Sequence, residues 1–323
     1  MSVIEKIKFK YINGATTFLS SSMLYYYALL SLVKILSYIP FRMLYVLSDI
    51  LFYPFYFIIR YRRKIVRKNL TESFPNKSID EIIRIEKKFY HFFIDMIFES
   101  CKLISITPEE IRQRMKFTNI KIANEMLIEG KSISIFLGHY GKWEWTSSIG
   151  LWLYKDAIVA QIYHKLRNKS MDKIMRRLRE RMGNICVEMY KTVRFIANAT
   201  TDYKPYMIGF IADQSPKKRE VKHFIQFLNH KIPVLTGTEK ATKHYGYNAI
   251  FISMKRVKRG YYECELTSLH DNPKSLPDFE LTNLYFQRLE REILQHPEFY
   301  LWTHNRFKYA INSSNQQAKY FTD

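Results

Sequence analysis

Cysteine is scarce in this chain. Of 323 residues only Cys101, Cys186 and Cys264 are cysteines. An odd number at wide spacing excludes a disulfide framework and a cysteine-based zinc site, and fits a reducing compartment. Glycine and proline are sparse too, ten of each. With no internal repeat, low-complexity tract or long linker, the pieces are expected to pack as one unit. Acidic residues are outnumbered, 30 against 51 Lys and Arg, for a formal net charge of +21. Such an excess concentrates anionic partners: nucleic acid, an anionic membrane surface or an acidic carrier protein. The charge is dispersed along the chain and no nucleic-acid-binding motif accompanies it, so nucleic acid is not expected as a partner. Neither a Gly-x-Ser-x-Gly elbow, a phosphate-binding loop, a dinucleotide fingerprint nor a His-Glu-x-x-His metal motif occurs. No metal site and no tightly bound cofactor are expected.

What the chain does have is apolar and aromatic substance. Hydrophobic residues make up 47%, enough for a large core, and 24 Tyr and 23 Phe suit a membrane interface. The opening MSVIEKIKFK is basic but leads into no clean signal-peptide pattern. Two apolar stretches follow, 23–41 with Lys34 inside it, and 41–59 with Arg42, Asp49 and Pro54 inside it. Each approaches the roughly 20 residues a spanning helix needs, and each is interrupted. They read as an interfacial or partly inserted helical region, with a single span or a buried helical hairpin as the alternatives. The basic cluster RYRRKIVRK at 60–68 is the mark of a cytoplasmic, anionic membrane face. Residues 1–75 are thus expected to associate with a membrane, ahead of a catalytic domain at 76–323.

That domain alternates helical and strand patterns. Ser78 and Glu81 form a capping-box pair before a helix to about residue 104. Thr107, Pro108 and Glu110 open another. Short apolar runs at 132–138, 156–162, 184–189 and 206–211 read as strands. Helices are expected at 120–129, after Gly141, and at 168–182, 191–199, 236–244 and 278–295, with a hairpin around Arg259-Gly260. The expected fold class is α/β, a mostly parallel central sheet flanked by helices. In such sheets functional residues gather beyond the carboxyl ends of the strands. His139 and Asp213 both fall just past a strand end.

A hydroxyl needs a base to become a nucleophile at neutral pH, and a histidine steadied by a carboxylate is suited to that task. His139 and Glu144, in HYGKWE, are a candidate pair. On one continuous helix, five residues would turn them about 140° apart. At a strand-to-helix junction, with Gly138 and Gly141 permitting a tight backbone, they could converge.

Several segments, taken in order, carry a resemblance. They are RRKIVRKNLTESFP (62–75), FLGHYGKWEW around His139 and Glu144, and the basic helix RNKSMDKIMRRLRERMG with Asn168, Asp172 and Arg179. IADQSP with Asp213 and Gln214 follows, then FLNHKIPVLTGTEKAT (227–242). The last is HPEFYLWTHNRFK, with Pro297, Glu298, Trp302, His304, Arg306 and Phe307. Together they resemble the late lipid A acyltransferases, the lauroyl/myristoyl transferase branch of the lysophospholipid acyltransferase superfamily, and most of all its Bacteroidetes-type members. The resemblance implies an acyl-carrier-protein thioester as donor, a lipid A precursor or related glycolipid as acceptor, and the cytoplasmic face of the bacterial inner membrane as location. It implies His139 as general base and Glu144 as its orienting partner, with Arg179, Asp213 and Gln214 binding substrate. The sequence departs from the family pattern at Lys142, where many members have Asn, and at Leu228-Asn229 and 215–222, stretches that bear on acceptor identity. Another lysophospholipid or amino-acid-containing lipid as acceptor, or a non-catalytic membrane-binding role, are the alternatives.

Overall fold

The computed structural model describes residues 21–311, apart from 200, 202 and 271; the basic opening segment lies outside them. The chain runs through α1 (Ser21–Tyr38), α2 (Phe41–Tyr53, continued by a π-helical turn Pro54–Ile59), α3 (Arg63–Ser73), α4 (Ile79–Lys102) and α5 (Pro108–Arg114). Then come β1 (Met115–Thr118), α6 (Ile120–Ile128), β2 (Ile133–Leu137), a 3-10 run Trp143–Trp152, β3 (Ile158–Tyr163), α7 (Lys169–Glu180) and β4 (Ile185–Glu188). The remainder is α8 (Thr192–Ala199), β5 (Tyr206–Ile211), the pair β6 (Phe224–Phe227) and β7 (His230–Pro233), α9 (Gly237–Tyr245), β8 (Asn248–Lys258), β9 (Tyr261–His270) and α10 (Glu280–Gln295).

Seven strands form one sheet in the order β1-β9-β8-β2-β5-β3-β4. The β8–β9 pairing is antiparallel and every other pairing is parallel. The class is therefore α/β with a mostly parallel sheet, as expected. Helices cover both faces, which is why β2 is buried at all five positions and reads as an unbroken apolar run. The elements with local signals form as expected. Ser78 Oγ accepts from Glu81 N, and Glu81 Oε2 accepts from Ser78 N at 2.8 Å. Thr107 Oγ1 accepts from Glu110 N.

The segment after Gly141 differs from the expected α-helix. Thr146, Ser147 and Ser148 each turn a hydroxyl back onto the carbonyl three residues earlier, at 2.6, 2.8 and 2.7 Å. Three such bonds in succession favour the tighter 3-10 winding that the segment adopts.

Residues 41–59 are the one helical stretch, among the described residues, that is long and apolar enough to cross a membrane. One side of it is nevertheless fastened to the rest of the protein. Tyr45 donates to Glu99, Ser48 to Asp95 and Tyr56 to Glu86, at 2.7 to 2.9 Å. Asp49 takes both terminal nitrogens of Arg259, which also reaches Asp95 at 2.6 Å. These partners lie on α4 and the β8–β9 turn. The opposite side exposes Met43, Val46, Ile50, Tyr53 and Ile58.

Candidate active site

The site is built by register. Leu137, the last residue of β2, pairs with Ile211, the last of β5. Two residues further along each chain stand His139 and Asp213, so neighbouring parallel strands deliver them to the same level. Asp213 Oδ1 lies 2.6 Å from His139 Nδ1, and Asp213 Oδ2 accepts from the His139 backbone N–H at 3.1 Å. The carboxylate thus grips both the ring and the main chain. With Nδ1–H committed to Asp213, Nε2 carries the ring's lone pair, and the Gln214 side-chain amide donates to it at 3.2 Å. Asp213 is buried, which opposes ionisation, but the charge of His139 and its two hydrogen bonds outweigh this and hold the carboxyl below its ordinary range.

The expected pairing of His139 with Glu144 is corrected here. Glu144 turns instead to Arg179 on α7, which donates from Nε to Oε2 at 2.8 Å and from a terminal nitrogen to Oε1 at 2.7 Å. Trp143 Nε1 supplies a further donor to Glu144. The Trp143 ring meets His139 edge-on, with centroids 5.3 Å apart. Burial again opposes the charge on Glu144, and Arg179 overcomes it, so this carboxyl too sits below its usual range. The two carboxylates therefore have separate partners, Asp213 the His139 ring and Glu144 the Arg179 guanidinium. All five residues named in advance, His139, Glu144, Arg179, Asp213 and Gln214, come together here. His139, Glu144, Arg179 and Gln214 line one cavity of about 570 Å³.

Because both carboxyls titrate lower in the folded chain than in the unfolded one, the unfolded state binds more protons as acid is added. Their stabilisation is present above ordinary carboxyl values and is lost as pH falls through the folded ones. The melting temperature is expected to drop steeply below about pH 4, and Asp213→Asn to flatten that drop. An equally steep decline in the variant would mean that other groups govern acid unfolding.

The final described segment locks the loop that carries His139 in place. The Gly141 N–H donates to Phe299 O at 2.9 Å, Leu301 N–H donates to His139 O at 3.0 Å, and Tyr140 forms a bridge with Tyr300. Gly141 has φ of +60°, and a Cβ there would lie 2.6 Å from Met254 Sδ, so the turn needs glycine. Sequence reasoning missed Tyr300. Tyr300 is buried close to Asp213, and an aromatic in an aromatic-rich segment carries no signal of such a placement. Arg306, 1% exposed, adds a positive charge near Asp213 while donating to Pro233 O. His304 is kept neutral by burial, its pKa pushed down to about 4, and accepts from Ser215 N–H at 3.5 Å. His304 and Arg306, singled out by the resemblance, thus stand near the carboxylate, and Trp302 packs against Tyr300. Lys142, the noted departure, is wholly buried; its ammonium reaches Ser100 Oγ at 2.7 Å and lies 4.0 Å from Glu99.

A histidine whose Nε2 is unprotonated, with a buried carboxylate behind it and a large cavity in front, is equipped to take a proton from a bound hydroxyl. Comparison with curated proteins gives no match. The family model of the bacterial lipid A biosynthesis acyltransferases matches residues 13–309, most of the chain. The protein therefore belongs to the bacterial lipid A biosynthesis acyltransferase family.

Proposed function

We propose that the protein transfers a fatty acyl chain from an acyl-carrier-protein thioester to a hydroxyl of a lipid A precursor, as a late acylation step. The observation that carries this reading is the Asp213–His139 pair facing the cavity with Nε2 outward. His139 Nε2 takes the proton of the acceptor hydroxyl as its oxygen attacks the thioester carbonyl. Asp213 steadies the imidazolium that forms. The tetrahedral intermediate collapses to the new ester, and the departing sulfur receives the proton from His139. No covalent acyl-enzyme is required.

Arg179, anchored by both oxygens of Glu144, offers a fixed positive charge at the cavity wall for the thioester carbonyl oxygen or a lipid phosphate. Glu144 acts through Arg179 and is a positioning residue. Gln214 leaves Nε2 when the acceptor hydroxyl arrives. The exposed apolar side of α1 and α2 lies in an anionic bilayer surface with the basic cluster at 60–68 beside it. The hydrogen bonds and ion pairs along the other side of α2 favour an interfacial placement at the inner membrane's cytoplasmic face over an upright span.

The test is transfer in vitro, with purified acyl-carrier thioesters and either a lipid A precursor or a lysophospholipid, in vesicles containing anionic lipid. Acylation of the lipid A precursor, with protein cosedimenting with anionic but not neutral vesicles, is expected. Acylation of the lysophospholipid alone would move the protein to the alternative acceptor. A stable acyl adduct on the protein with donor alone would contradict direct transfer.

A further inference from the structure

The cavity beside His139 continues beneath the strand ends along one face of the sheet. Alternate residues of three neighbouring strands form its wall: Leu137 and Ile135 on β2, Ile211, Gly209 and Met207 on β5, and Val159 on β3. These residues are apolar, Gln161 on β3 joins them, and at one level β5 contributes no side chain. That level is Gly209, paired with Ile135 on one side and Gln161 on the other.

A glycine here is unusual, since β5 is a central strand, paired on both sides, and glycine weakens strand interiors. Nothing in the backbone calls for it, because Gly209 is not among the residues with positive φ. Nothing in the packing calls for it either. A Cβ added to Gly209 would meet Ala160 O at 3.8 Å and Gln161 Cβ at 3.9 Å, ordinary contacts both. What a side chain would occupy is the cavity. Gly209 stands four residues before Asp213, so this opening lies about 13 Å from the level of the reacting groups at about 3.3 Å per residue. Met207 closes the wall one level deeper.

We propose that Gly209 is a specificity-determining residue, whose missing side chain leaves room for the far end of the donor's acyl chain and so sets the longest chain accepted. The inference rests on the reading above, in which this cavity holds the donor's acyl chain.

The experiment is a panel of saturated straight-chain acyl-carrier thioesters of graded length, with kcat/KM measured for wild type, Gly209→Ala and Gly209→Leu. For Gly209→Leu the preferred donor should shorten by about four carbons, the number leucine adds, if groove volume is what is conserved. The ratio of kcat/KM for short over long donors should rise by about tenfold or more. Gly209→Ala should shift the ratio in the same direction by less. It decides the matter if thermal unfolding shows that the leucine variant is not folded. An unshifted length profile in folded variants, or equal loss at every length, would overturn the assignment of Gly209. Absence of transfer by the wild type from any donor is a different result, and would remove the acyltransfer reading with it.

Discussion

Asp213→Asn is expected to lower kcat by about 10²–10⁴-fold with little change in KM. Asparagine fits the same space, so the fold and cavity should survive. What changes is the ring. The carboxylate accepts Nδ1–H at 2.6 Å and keeps the lone pair on Nε2. An amide at this position can present its N–H to Nδ1, which favours the wrong tautomer, and it cannot balance the charge of an imidazolium. His139→Ala should fall by a similar factor, and the double variant should be no worse than either single one, since the two groups act as a unit. Glu144→Gln gives the contrast. It weakens the hold on Arg179 without touching the His139 ring nitrogens, so its loss should appear in substrate binding and should add to that of Asp213→Asn. Steady-state kinetics on the wild type, the three single variants and their pairwise doubles would decide. If Glu144→Gln and His139→Ala proved non-additive while Asp213→Asn was nearly silent, the histidine would take its support from Glu144 during turnover.

The second large effect concerns stability. Trp302→Ala is expected to cost about 3–5 kcal/mol, as large-to-small changes of buried aromatics do. Trp302 is 1% exposed. Its ring lies edge-on to Tyr300, with centroids 5.1 Å apart, and edge-on to Phe74 at 6.0 Å. Its indole N–H donates to Pro297 O at 2.6 Å, and that carbonyl would lose a partner. Its own carbonyl accepts from Asn69 Nδ2 at 2.9 Å, tying α3 to the segment that locks His139. Activity should therefore fall along with the urea midpoint. A variant with wild-type stability would show that the cavity collapses around the lost ring, and one stable but inactive would show that Trp302 acts on the site alone.

Much of this architecture was legible because its signals are local. β5 ends where the apolar run 206–211 ends, and the helix caps lie within four residues. β1, β6 and β7, each four residues long, escaped notice. The site was half legible. His139 and Asp213 could be placed past strand ends, but their pairing depends on β2 lying beside β5. That is a contact across 74 positions, and no local pattern reports it. Glu144, five positions away, was the nearer candidate in sequence, and the 3-10 winding and Arg179 take it elsewhere. The mostly exposed apolar helices were legible by composition, but the polar row on α2 that fixes their attachment depends on partners at 86, 95, 99 and 259.

The strand-like segment that holds the histidine has a consequence for the timing of synthesis. Phe299, Tyr300 and Leu301 follow His139 by 160 to 162 positions. At about 5–20 residues per second, a ribosome needs roughly ten to thirty seconds to cover that distance. Throughout that interval the histidine loop exists without its lock. The Asp213–His139 arrangement is therefore held in place only near the end of synthesis, after every strand of the sheet has been made.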